Sequence, residues 1–124
     1  MTKFYQHKIE GEVTAARKVM ADAARLFKRG SIEYSVEWGL LTLEHVAVYG
    51  LPDCYKQFNE FLDDFYPGLS YRPSVETKQI MQLILESDRF TAIATAIQKD
   101  WGFNLRSRMG LDMRTLLPDV LDTK

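Results

Sequence analysis

Residues 31–50 read SIEYSVEWGLLTLEHVAVYG, and the reading of this stretch decides the fold. Helix punctuation stands on both sides of it, Gly30 and Ser31 before, Gly50 and Pro52 after. A serine accepts a hydrogen bond from an otherwise unpaired N–H of a first turn, and a glycine takes the left-handed conformation that closes a last turn. The pair predicts a helix over Ile32–Tyr49, with Glu33 placed favourably at its positive end. Almost every position inside it is apolar, so it is expected to be the most buried helix of the protein. Its acidic residues Glu33, Glu37 and Glu44 fall within about 40° on a wheel of 100° per residue, which leaves one narrow acidic edge.

N-terminal to this stretch, Ile9, Val13, Ala16, Met20, Ala23 and Phe27 recur at spacings of four and three, the stripe of an amphipathic helix. The tight connection at Gly30 and Ser31 makes the first two helices an antiparallel hairpin. On the C-terminal side, Asp53 is read as the cap of a third helix ending at Phe65, with Tyr55, Phe58, Phe61, Leu62 and Phe65 facing inward. Two prolines and a glycine predict a non-helical segment over Tyr66–Ser74. A fourth helix is expected over Val75–Glu86. The polar run from Glu86 to Arg89 breaks the stripe, so a fifth begins afresh and reaches Trp101 before Gly102. A short C-terminal helix over Asp112–Leu117 is expected after Gly110 and before Pro118. No run alternates as a strand does. The expected fold is all-α, a compact bundle of five principal helices plus a short C-terminal one, in a single domain over 1–124 whose ends fray at about 1–7 and 119–124.

Composition agrees with one self-sufficient core. With 124 residues, 46% apolar and 27% charged, the chain resembles neither a disordered protein nor a disulfide-stapled miniature. Cys54 is the sole cysteine, so no intrachain disulfide can form and no cysteine-based zinc site can be built from one chain. The N-terminal residues hold no apolar run of secretory length, and no stretch is apolar enough to span a bilayer. A cytoplasmic protein without membrane contact is the expectation.

Sixteen basic residues oppose seventeen acidic ones, and this balance argues against a surface that tracks nucleic acid along its whole extent. The charges are nevertheless segregated. Residues 1–30 hold seven basic and three acidic residues, 31–66 one basic and seven acidic, and 67–124 eight and seven. One account is internal, with Arg17 and Arg25 of the first helix beside the glutamate edge of the second. The other is a bipolar surface that steers a charged partner.

The residue patterns of familiar catalytic sites are missing. Neither His-Glu-x-x-His nor Glu-x-x-His occurs, the glycines form no phosphate loop, and no G-x-S-x-G elbow is present. His45 and Cys54 read as packed residues, Cys54 lying near the start of the third helix. No enzymatic activity, no metal and no cofactor is expected. Protein recognition is the class that fits, since fifteen aromatics (seven Phe, six Tyr and two Trp) supply the anchors that interfaces prefer, together with arginine. The candidate partner-binding residues are Tyr66, Tyr71 and Arg72 on the proline-stiffened segment, and Arg106, Arg108 and Arg114 near the C-terminus. The expected function is a small regulatory or adaptor protein that binds another protein, such as an inhibitor or accessory factor of bacterial or phage type, with a homodimer as a further option. The alternative is a nucleic-acid-binding regulator in which Arg106, Arg108 and Arg114 clasp phosphate. An apolar set, Phe103, Leu105, Met109, Leu111 and Met113, is either the last part of the core or a dimer contact.

Overall fold

The computed structural model describes residues 10–69 and 75–115. Tyr71, Arg72 and the frayed ends expected at 1–7 and 119–124 lie outside the described residues. Among the described residues six helices follow one another: α1 (Glu10–Leu26), α2 (Ile32–Tyr49), α3 (Phe58–Gly68), α4 (Val75–Glu86), α5 (Asp88–Trp101) and α6 (Leu105–Thr115). No strand occurs among the described residues.

The boundaries of α2 are those its punctuation predicts. Ser31 Oγ accepts a hydrogen bond from Tyr34 N–H at 3.1 Å. At the other end Gly50, at φ +84°, donates its N–H to Val46 O at 2.8 Å. α1, α4 and α5 all pack against α2, and α6 closes the bundle against α4 and α5. α2 accordingly buries Trp38, Leu40, Leu43, Val46 and Ala47, each large side chain worth about 1.5–3 kcal/mol of burial. Gly39 permits this closeness. A Cβ there would stand 2.7 Å from Ile84 Cδ1 and 3.0 Å from Leu69 Cδ2, so only a hydrogen lets α4 and the end of α3 seat on α2.

α3 begins later and ends later than Asp53 and Phe65 imply. Tyr55 N–H donates to Pro52 O at 2.9 Å, which closes a separate turn. Glu60 Oε1 then accepts from Lys56 N–H at 2.8 Å and Gln57 N–H at 3.2 Å, and these bonds fix the helix start at Phe58. Cys54 therefore sits in the preceding turn, away from the helix N-terminus. Pro67 lies in the last turn, so the helix continues to Gly68 and includes Tyr66, which the sequence places in a non-helical segment. Phe65 stacks on Trp38 at 5.8 Å between ring centroids.

The break between α4 and α5 is a cap, Ser87 Oγ accepting from Arg89 N–H at 3.2 Å. α6 corrects the expected Asp112–Leu117 helix. Asn104 Oδ1 accepts from Ser107 N–H at 3.0 Å, which starts a helix at Leu105 that runs straight through Gly110. Leu105 and Met109 thereby enter the core, while Leu111 stays exposed.

Candidate functional site

Glu37 and Glu44 on the acidic edge of α2 are paired from within, by a different helix than the hairpin suggests. Arg89, in the first turn of α5, donates from Nη1 to Glu37 at 2.8 Å and from Nε and Nη2 to Glu44 at 3.1 and 3.0 Å. These bonds, to Glu44 first and then Glu37, raise the Arg89 pKa above its ordinary value. On α1, Arg25 and Lys18 both pair with Asp22 of their own helix, the lysine at 3.0 Å. Arg25 thus serves its own helix, and the partner of the glutamate edge comes from the C-terminal half of the chain.

The predicted arginine group is dispersed around α6. Arg108 Nε donates to both carboxylate oxygens of Asp112, at 3.0 and 2.8 Å, and its Nη1 reaches Asn59 Oδ1 on α3. Tyr66 Oη donates to the same carboxylate, and Tyr66 and Asp112 are 7% and 3% exposed. Burial first, and the bond to the Asp112 carboxylate second, push the Tyr66 phenol well above its ordinary value of 10.0. Tyr66, Asp112, Arg108 and Asn59 therefore form a polar strap from α3 to α6. Tyr66 is buried within this strap.

Arg106 and Arg114 lie elsewhere on the helix and flank one cleft. Together with Leu85, Ser107 and Gly110 they line an open depression of about 440 Å³ where α6 meets the end of α4. A basic side chain in a helix first turn opposes the dipole, and Arg106 turns away from it to the preceding helices. It donates to Leu85 O at 3.3 Å and to Thr91 Oγ1 at 2.9 Å, and its guanidinium carbon rests 4.9 Å from the centroid of the buried Phe90 ring. The cation is held on three sides before any ligand arrives.

A second surface was not marked by the sequence reading. Val48, Tyr49 and Trp101 are 69%, 73% and 46% exposed where α2 and α5 end. Trp101 is nevertheless fixed. Its Nε1–H donates to Ala47 O at 3.4 Å, and its ring covers Gly50, where a Cβ would stand 2.8 Å from Trp101 Cη2. Gly50 thus answers two demands, a positive φ and the indole face. Tyr49 packs its ring 4.6 Å from that of His45. The signal was present in the helical wheel: Val48 lies one turn beyond Glu44, on the acidic edge rather than the buried face. The nearly continuous apolar run of α2 concealed it.

Among the described residues no group of three or more His, Cys, Asp or Glu side chains could hold a metal ion, and no helix is long and apolar enough to cross a membrane. Comparison with protein-family models, with curated proteins and with solved structures finds no match to this chain.

Proposed function

We propose that this chain is a regulatory or adaptor protein that acts by binding another protein, with the surface of Val48, Tyr49 and Trp101 as its main contact. One observation carries the reading: a tryptophan half exposed yet locked by a hydrogen bond and a glycine contact, beside a largely exposed tyrosine and valine. Tyrosine and tryptophan dominate the energetics of protein interfaces, and an anchor already ordered loses less entropy on binding. The nucleic-acid alternative is less well supported, since Arg108 is spent on Asp112 and Asn59 and only Arg106 and Arg114 share a surface.

The test is capture from the organism's own lysate followed by reconstitution with the purified partner, using the wild type and Tyr49→Ser. Both chains should melt at the same temperature because Tyr49 is largely exposed. The proposal expects one protein bound directly, with affinity falling about tenfold or more in the variant. Equal affinity of both chains would reject the surface. Nanomolar binding of random duplex DNA that weakens steeply with salt and falls on Arg106→Ala would favour the nucleic-acid reading instead.

A further inference from the structure

Gly110 lies in the middle of α6, where glycine is the poorest helix former after proline. Its backbone does not require glycine, since the positive-φ glycines among the described residues are Gly30, Gly50 and Gly102. Packing does not require it either: a Cβ at this position would meet Arg114 Nη1 at 3.8 Å, an ordinary contact, and nothing closer. What a side chain at Gly110 would occupy is the cleft between Arg106 and Arg114. The glycine keeps open a shallow notch that it lines together with Arg106, Arg114, Ser107 and the apolar Leu85.

We infer that this notch receives the carboxylate of an acidic side chain from a partner protein, with an apolar neighbour of that side chain resting on Leu85. The inference rests on the protein-binding reading above and names the chemistry of a second contact. Guanidinium groups match carboxylates in shape and charge, and Arg106 is already oriented by Leu85 O, Thr91 and Phe90, so little freedom is lost when it is engaged. A single carboxylate suits the site better than a polyphosphate strand. Among the described residues two arginines line the cleft, a compact pair of cations that suits one carboxylate.

The probe is the tripeptide acetyl-Leu-Glu-Leu-amide, titrated into the full chain while the arginine Nε–Hε resonances are followed by NMR. Inorganic phosphate and a short single-stranded DNA serve as comparators. The Arg106 and Arg114 signals should shift saturably with the tripeptide and Arg108 should stay still. Gly110→Leu, which fills the notch, should weaken the response about tenfold or more, and Arg114→Ala should do the same. Melting curves of Gly110→Ala and Gly110→Leu guard against loss of fold. The alanine variant should melt higher than the wild type, and a fall would overturn the inference by making the glycine a packing requirement. Equal tripeptide binding by wild type and Gly110→Leu, or a stronger response to phosphate or DNA than to the tripeptide, would also overturn it. A partner that binds independently of Gly110 and Arg114 but depends on Tyr49 would reject the notch and leave protein recognition standing. Saturable tripeptide binding by a chain that captures no protein would do the reverse.

Discussion

Gly39 in α2 and Gly110 in α6 both sit inside helices, in regions of opposite character. At Gly39 the place of a side chain is already taken, with Ile84 and Leu69 so close that one methyl group would press on them. Around Gly110 the nearest atom to an added methyl is the end of a flexible arginine, and an open cleft lies beyond. Helix propensity penalises glycine equally at both positions. At Gly39 the offsetting gain is visible in the protein's own core. At Gly110 the fold offers no such gain, which is why the α6 surface reads as a place shaped for something outside the chain.

The largest expected effect comes from making the same substitution at both. Gly39→Leu forces a side chain into the α2–α4 contact and should cost about 3 kcal/mol in urea denaturation. Gly110→Leu should leave stability within about 0.5 kcal/mol of the wild type or raise it. Similar losses at the two sites would erase the distinction.

The two faces of α6 sharpen the comparison. Asp112→Ala strips the acceptor from the buried Tyr66 hydroxyl and from Arg108, and should cost about 2–3 kcal/mol. Arg114→Ala, on the cleft side, should change stability by no more than about 0.5 kcal/mol. A large loss from Arg114→Ala would mean that the cleft arginine serves the fold.

A smaller effect tests the strap through pH. Tyr66→Phe removes one hydrogen bond to a carboxylate and should cost about 1.5 kcal/mol at neutral pH. The phenol's folded pKa is raised above its unfolded value of 10.0, so the native chain keeps a proton that the unfolded chain gives up above that value. The stability this tyrosine contributes is therefore fully present below pH 10.0 and declines as pH rises beyond it. The gap between wild type and Tyr66→Phe should narrow just above pH 10.0, and a gap independent of pH would contradict the assignment.

Much of the fold was legible because it depends on local rules. Ser31 and Gly50 act within a few residues of themselves, and each starts or terminates a helix where the sequence places it, while Ser87 caps a new start inside the polar run expected to break the stripe. The start of α3 was hidden because Gln57 is an unusual first-turn neighbour and the decisive oxygen belongs to Glu60. α6 was misread because Gly110 resembles a stop, whereas Asn104, a good cap, had already signalled the start. The site was less legible for a different reason. A wheel shows which face carries Glu37 and Glu44 but not which helix will cover it, and the cation that does so, Arg89, arrives from 45 residues beyond Glu44. The same limit scattered Arg106, Arg108 and Arg114, whose sequence proximity conceals different directions around one helix.

The most direct test of the contrast between the two glycines is the melting temperature of Gly110→Ala. With helix propensity gained and no packing lost, the gain of about 0.5–1 kcal/mol should raise it by about 4 °C. A melting temperature below that of the wild type would show that the fold itself needs the glycine, and would remove the reason for reading the notch between Arg106 and Arg114 as a binding site.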